Sequence, residues 1–593
     1  MLPHTVADFF LESLALAGVD YLFTVLGSDH PSIIEAYTRR KEEGKVWPKL
    51  LLFLHEFVAL SAADGFARLT KRPQCVIVHV DVGTAALGQG LHNASSGRAP
   101  VLVFAGQAPL TLNGELPGSR YQDIPNQPAL VAPYARYTAE LKHAAHTHAL
   151  VSRALRMSCT ASPGPTYLTA TRELLAATTP LPLPSTSPAA LHPSLGALAP
   201  SAVETIGAAL LAAQHPLVVT GYLGRSSAAV AQLVALADAL AGRLRVFDAE
   251  FREVSFPAGH RASVTRATGA AAAVRAADVV LLLDVDVPWI PAKVRPEREG
   301  VRVFHVDVDP RKERMGLFDV GAEGTWGAEC EVAVAQLVGY VKEKLEGREG
   351  VSGERWAELG RLHEEGVRVL GGRAAPRADG KLSAAYLFRT LRRLLPADTV
   401  WVSDVVTNQV ALSEQLRLDV PGTNFTKGGS GLGWSGGAAI GIKLATELYD
   451  TARERPCVNR REGGGAGNGR FVCSITGDGS FVFGAPSAVY WAQYQHKTPF
   501  LTVVVNNGGW KATRSCINDV HPDGLAAKTS DQGLGIDLRG DGPDYLGIAK
   551  AAAGGNLVTE RVQRVEDLEE AIKRLAKEVL ERGVGAVLEA IVA

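Results

Sequence analysis

The chain has 593 residues, enough for three or four α/β domains of roughly 150 to 180 residues each. Lys plus Arg is 61 and Asp plus Glu 62, so the net charge is −1, which excludes the broad positive field of a nucleic-acid binder. Hydrophobic residues are 46% and charged residues 21%, a globular balance that excludes wholesale disorder.

In chain order, the opening stretch MLPHTVADFFLESLALAGVDYLF is apolar at helical spacing, interrupted by Asp8 and Glu12. It has no basic leader, so a first helix is expected, not a signal peptide. Residues 1–178 alternate short apolar runs, KLLLFL (49–54), QCVIVHV (74–80) and PVLVFAG (100–106), with helical stretches. That pattern predicts a parallel sheet with crossover helices. Residues 179–200 are rich in Pro and Ser and read as an extended linker holding neither helix nor ladder. A second unit, 201–345, carries PLVVTG (216–221), VVLLLDVDV (279–287) and VRVFHVDVDP (301–310). The charged stretch 346–380 reads as a solvated helix and loop. A third unit, 381–593, carries TVWVSD (399–404), RFVCSI (470–475) and FLTVVV (500–505). Residues 453–470 read as a flexible surface insertion. The fold class expected is α/β, with three doubly wound parallel-sheet domains.

The six cysteines, at 75, 159, 330, 457, 473 and 516, form no CxxC or Cys/His cluster. A zinc site or disulfide scaffold is not expected, and a reducing compartment is the default. No run reaches about 18 uninterrupted apolar residues, and GAVLEAIVA carries no peroxisomal or lipidation signal. The expectation is a cytoplasmic protein without nucleic-acid or membrane partners.

The chemistry concentrates in the third unit. The strand RFVCSI runs into Gly477-Asp478-Gly479-Ser480, and 26 residues separate that GDG from Asn506-Asn507 at the end of FLTVVV. The glycines permit a tight turn and close approach to a ligand. Asp478, the Asn507 side-chain oxygen and a carbonyl near Gly509 make a hard-oxygen set that suits Mg²⁺ and leaves room for phosphate. Both motifs sit at carboxyl ends of strands, where doubly wound sheets bind ligands. Alone, GDG is equally a turn; the spaced NN and the strand context favour a site. A second feature is LLFLHEFVALSAADGFAR (51–68). There a strand delivers Glu56 to a helix start among Leu54, Phe57 and Val58, surroundings in which a carboxylate is costly without a partner. A helix N-terminal Glu complementing the dipole is the plainer reading.

Together these motifs resemble the thiamine diphosphate-dependent superfamily of pyruvate oxidase, acetolactate synthase and benzoylformate decarboxylase, over essentially the whole chain. The resemblance implies a pyrimidine-binding domain (1–178), a central domain (201–345) and a diphosphate-binding domain (381–593). It makes Glu56 the partner of the aminopyrimidine N1′. It makes Asp478, Asn507 and the Gly509 carbonyl the Mg²⁺ ligands, and Gly477, Gly479 and Ser480 the diphosphate lining. In GGSGLGWSGGAAIGIKLA, Leu432 matches the residue that holds the cofactor bent, and in SDVVTNQ, Thr407 and Asn408 are diphosphate candidates. The strands DVDVPWIP and HVDVDP resemble the central domain, where some relatives bind FAD or a CoA adenosine. GYLGRS is too weak a glycine loop to imply a second cofactor, so FAD is not supported.

By the same resemblance the cofactor's C2 ylid attacks a 2-oxo acid, CO₂ leaves, and the enamine is either protonated or adds to a second carbonyl. His79 stands where benzoylformate decarboxylase-like members carry a catalytic histidine. His30, in LGSDHPS, and Gln122, in RYQDIPNQ, are further catalytic candidates; His55 is a supporting residue, and Trp510 and Lys511 either shape the pocket or pack. The reaction read is decarboxylation or carboligation of a small-molecule 2-oxo acid by a homodimer or homotetramer. A 2-hydroxyacyl-CoA or oxalyl-CoA type lyase and a non-catalytic paralogue are the alternatives.

Overall fold

The computed structural model describes the chain except residues 1–2, 115–121, 188–190, 192, 194, 241, 314, 316–319, 347–352, 451–468 and 541. The expected insertion at 453–470 therefore lies outside the described residues, apart from 469 and 470.

The long opening run divides into helix α1 (Val6–Leu16) and strand β1 (Tyr21–Thr24), parted at Gly18, whose φ is +75°. Asp8, which interrupts the apolar pattern, completes a capping box with Thr5. The first sheet continues with β2 (Lys49–Leu52), β3 (Gln74–Val78), β4 (Val101–Gln107), β5 (Thr138–Glu140) and β6 (Thr166–Thr171), in spatial order β2-β1-β3-β4-β6-β5. Every residue of β3 and nearly all of β4 are buried, as a sheet covered on both faces requires. Helices α2 (Glu56–Thr70), α3 (Val80–Ala86) and α4 (Gly88–Ser96) follow β2 and β3.

The linker departs from expectation at both ends. Thr178 and Thr179 form a short antiparallel ladder with Thr5 and His4, and a helix begins at Pro200, because Pro at the first helical position surrenders no needed N–H. The second sheet contains β7 (Pro216–Thr220), β8 (Arg245–Asp248), β9 (Ser263–Val264), β10 (Val279–Leu283), β11 (Arg302–Asp307) and β12 (Gly324–Gly327), ordered β9-β8-β7-β10-β11-β12. The apolar run at 279–287 overshoots its strand: Asp284, at φ +46°, turns the chain out of the sheet. GYLGRS forms a single 3₁₀ turn, Leu223–Arg225, with Gly224 pressed against the Val254 backbone. Helix α5 (Gly353–Arg373) crosses the 346–380 stretch, burying only Leu359, Gly366 and Leu370.

The third sheet contains β13 (Val400–Asp404), β14 (Asn424–Thr426), β15 (Val472–Gly477), β16 (Leu501–Asn506), β17 (Val558–Val562) and β18 (Ala586–Ile591), ordered β14-β13-β15-β16-β18-β17. All three sheets are parallel throughout. The first and third share one strand order, and the middle sheet has another. Helices α6 (Trp434–Tyr449), α7 (Asp478–Phe483) and α8 (Lys511–Val520) belong to this unit.

The first and third units share one core through α2 and α6. Their crossing is unusually close. A Cβ at Gly441 would run into the Ala62 carbonyl, and one at Gly437 would lie 2.8 Å from the Val58 carbonyl. Trp434, fully buried, donates Nε1–H to Asp64 Oδ2 at 2.9 Å across this seam. The middle unit is fastened to the first by charge. Arg98 pairs with Asp284 and with Asp286 (3.0 Å), Lys312 bridges Asp286 (2.9 Å) and Asp307 (2.6 Å), and Tyr222 OH donates to the Ser96 carbonyl at 2.7 Å.

Candidate active site

Glu56 is the first residue of α2 and is half-buried. Phe57 and Val58 beside it are buried, but Leu54 is 54% exposed and does not enclose it. His55 caps the helix, its Nδ1 accepting the Phe57 N–H at 3.1 Å. Glu56 Oε1 lies against Gly83 in α3, where an added Cβ would stand 3.4 Å away. His79 caps that same helix, and the two residues share one end of the first sheet.

His79 Nδ1 lies 2.6 Å from Asp29 Oδ1, and the His79 side chain is 24% exposed. The hydrogen bond to Asp29 pushes its pKa up, against the opposing effect of burial. Asp29 was not signalled by the sequence. Burial would raise its pKa, but His79 and His30 hold it below the usual carboxylate range.

His30 needs correction as a residue touching substrate. Its side chain is fully buried behind Asp29, its Nδ1 accepts the Gly27 N–H at 3.1 Å, and burial pushes its pKa down. Gln122 is half-buried in the loop after β4, and no described hydrogen bond brings it to Glu56 or His79. The glutamine that is tied in is Gln127, whose amide donates to the Gly106 carbonyl and to Tyr167 OH, both at 2.8 Å.

The second half of the site is built at the carboxyl ends of β13, β15 and β16. Asp478 opens α7 and is buried; its Oδ1 accepts the Gly479 N–H at 2.8 Å. Its Oδ2 accepts the N–H groups of Gly508 (2.9 Å) and Gly509 (2.8 Å). Burial raises its pKa, and these three amides oppose the rise. Gly508 and Gly509 have φ of +84° and +119°, which the NNGG sequence allows at no steric cost. Asn507 donates Nδ2–H to Thr407 Oγ1 at 3.1 Å, while its buried Oδ1 has no hydrogen-bond partner among the described residues. The Gly509 carbonyl accepts the Lys511 N–H at 2.9 Å, which leaves its second lone pair. A buried carboxylate, an orphaned amide oxygen and a carbonyl are the donor set of a hard divalent cation, so the residues present fit Mg²⁺.

Asp404, which ends β13, organises the loops around this set, and it too carried no signal in the sequence. Its Oδ2 accepts the N–H groups of Gly433 (2.6 Å) and Trp434 (3.0 Å). Its Oδ1 accepts Ser480 Oγ–H (3.1 Å) and faces Lys427 Nζ (3.1 Å). Three loops, 403–409, 427–434 and 477–480, thus converge on one carboxylate. Ser480 is buried in α7, and Gly477 has open space above it, with nothing closer than 3.9 Å to an added Cβ. Thr407 is exposed, and Asn408 caps the helix Gln409–Leu416 by its backbone alone. Leu432 is half-buried, and its carbonyl accepts from Gln89 of α4. The same helix holds Gly431 through Asn93, at 2.9 and 3.0 Å.

Trp510 packs its ring over Gly479 and stands 5.8 Å from the Phe483 ring, so it shapes the floor of the GDG turn. Lys511 pairs with Asp531 at 2.6 Å, alongside Arg514. No described hydrogen bond or ion pair joins Glu56 or His79 to Asp478 or Asn507 within one chain.

A parallel α/β scaffold with a carboxylate at one strand end and a hard-oxygen and glycine cradle at another defines a diphosphate-cofactor enzyme. Residues 4–130 match the thiamine pyrophosphate enzyme N-terminal TPP binding domain, and residues 404–589 match the C-terminal TPP binding domain. The chain belongs to the thiamine pyrophosphate-dependent enzymes. It is 24% identical over 475 residues to a benzoylformate decarboxylase of Pseudomonas aeruginosa, covering 79% of this chain and 80% of that protein. It is 26% identical over 507 residues to an acetolactate synthase large subunit of Mycobacterium tuberculosis, covering 84% and 82%. Its fold matches a thiamine diphosphate-dependent 4-hydroxybenzoylformate decarboxylase of Rhodococcus jostii with a TM-score of 0.76 at 21% identity, covering 99% of both chains. Benzoylformate decarboxylase of Polynucleobacter necessarius matches with a TM-score of 0.76 at 18% identity, covering 100% of this chain and 99% of that one.

Proposed function

We propose that this chain is a Mg²⁺- and thiamine diphosphate-dependent decarboxylase of a 2-oxo acid. In this reading Asp478, Asn507 and the Gly509 carbonyl hold the metal. Gly477, Gly479, Ser480, Thr407 and Asn408 line the diphosphate, Leu432 supports the bent cofactor, and Glu56 binds its aminopyrimidine. The bound cofactor supplies the carbon nucleophile and the electron sink that let CO₂ leave. In this reading a second copy completes the site, in a homodimer or homotetramer, consistent with no described hydrogen bond or ion pair joining Glu56 to Asp478 within one chain. The buried, unpartnered Asn507 oxygen supports the metal.

The observation that carries decarboxylation over carboligation is His79, partly exposed beside Glu56 and held by a carboxylate, as a proton donor should be. The test is incubation with Mg²⁺, thiamine diphosphate and a panel of 2-oxo acids that includes pyruvate and benzoylformate, with CO₂ and products followed. Aldehyde with CO₂ is the expected result. A condensation product would make the enzyme acetolactate synthase-like. Cofactor binding without CO₂ would point to a CoA-thioester lyase, and no cofactor binding to a non-catalytic paralogue.

A further inference from the structure

Asp29 is used from three sides. Its Oδ1 takes His79 Nδ1 at 2.6 Å; its Oδ2 accepts the Val80 N–H at 3.1 Å and stands 3.3 Å from His30 Nε2. Two glycines make the space: a Cβ at Gly27 would overlap the His79 ring, and one at Gly106 would overlap the Asp29 carboxylate. Val80 is held at φ +27°, a conformation a non-glycine residue rarely adopts. The backbone is thus bent at the residue whose N–H Asp29 binds. His30 Nδ1 accepts the Gly27 N–H, and its Nε2, 3.3 Å from Asp29 Oδ2, makes no hydrogen bond among the described residues. With His79 Nδ1 at one oxygen and the Val80 N–H at the other, the carboxylate has a donor toward each oxygen and stays ionised. An ionised Asp29 at 2.6 Å keeps a proton on His79 Nδ1 and leaves Nε2 as the working nitrogen.

We propose that Asp29 is a positioning residue that fixes the Nδ1–H form of His79 and turns Nε2 toward the Glu56 side, where it protonates the carbon that has lost CO₂. This rests on the decarboxylase reading above. In the step, the electron pair left by CO₂ forms the new C–H bond and the Nε2–H bond breaks. His79 is left neutral with its Nδ1–H still on Asp29, and Nε2 regains a proton from water. The groups facing His79 are Asp29, His30, Asp81 and Glu56. The three carboxylates all favour its charged form, so the donor persists to higher pH than an isolated imidazole would allow.

The test has two parts. Histidine C2 hydrogen–deuterium exchange, read by mass spectrometry on the protein without substrate, gives the titration midpoint of His79. Asp29→Asn should move that midpoint down; Asp29→Ser, which keeps an acceptor for Val80, serves if the first variant does not fold. With Mg²⁺, cofactor and the 2-oxo acid that turns over, Asp29→Asn should cut aldehyde formation by about 10- to 100-fold. The effect should fall on kcat rather than KM, and the share of condensation product should rise. In a His79→Gln background the same substitution should cost nothing further. An unmoved midpoint, or an equal loss in that background, overturns the proposal. A moved midpoint in a protein that releases no CO₂ from any 2-oxo acid would overturn the proton-transfer step and the decarboxylase reading, while leaving the Asp29–His79 pair established.

Discussion

Replacing Asp404 by Ala would remove the acceptor of four donors: the N–H groups of Gly433 and Trp434, Ser480 Oγ–H and the Lys427 ammonium, all within 2.6–3.1 Å. The carboxylate is fully buried. A hydrogen bond to a charged group is worth about 1.5–3 kcal/mol, but four such bonds to one group do not add. Removing one partner of a buried charged cluster costs about 3–5 kcal/mol. For a unit of roughly 200 residues that lowers the melting temperature by about 10 °C. The functional loss should exceed the stability loss, because Asp404 joins the loop after β13, the Leu432 loop and the GDG turn. Thermal unfolding with and without Mg²⁺ and thiamine diphosphate measures both effects. The variant should melt lower and lose the rise in melting temperature that cofactor brings to the parent. If it melts as the parent does and is stabilised equally by cofactor, the convergence of the three loops on Asp404 does not hold the site.

Glu56→Gln should bind Mg²⁺ and cofactor as the parent does yet turn over at least about 100-fold more slowly; parental turnover would remove Glu56 from the chemistry. Asp478→Ala should weaken Mg²⁺ and cofactor retention together in equilibrium dialysis, and undiminished affinity for both would refute the metal assignment. Burial raises the Asp64 pKa to about 6, above an ordinary carboxylate value of 3.8, so folding favours its protonated form. Stability is therefore lost as pH rises through about 4 to 6, and Asp64→Asn should gain roughly 2–3 kcal/mol on the parent between pH 4 and pH 8 in denaturant titrations. A gap between the two that does not change with pH would contradict this. Gly441→Val should destabilise by more than about 3 kcal/mol, since the neighbour it meets is the Ala62 backbone, which cannot swing aside.

The two strand-end motifs of the third unit were legible in the sequence. Gly477, Asp478, Asn507 and Gly509 are legible because the turn glycines and the oxygen donors lie within two short motifs whose spacing is set by one crossover. Asp29 and Asp404 were not legible. Each is a single acid, Asp29 in a turn and Asp404 at a strand end, and they act on partners 50 and 76 residues away, His79 and Ser480 respectively. Only the sheet brings these pairs together. His30 had a suggestive position, but burial depends on what packs over it, and the sequence does not contain that. Apolar runs overshot the strands at Val78 and Leu283 because the chain stays buried after it has left the sheet. The shared strand order of the first and third sheets was out of reach for the same reason: order is decided by which side each crossover takes, not by the composition of the strand.

The close crossing of α2 and α6 gives the chain a stiff strut. One of its rods begins at Glu56, and the other begins at Trp434, two residues after Leu432. Glycine-to-backbone contact lets neither rod slide or roll against the other. The ends of the strut are thus set at a constant span before any second copy arrives. In the pair proposed above, each copy would offer one end to each of two sites, so neither site could close or loosen without displacing a rod that the other also uses. The two sites of such a pair would be mechanically geared rather than independent.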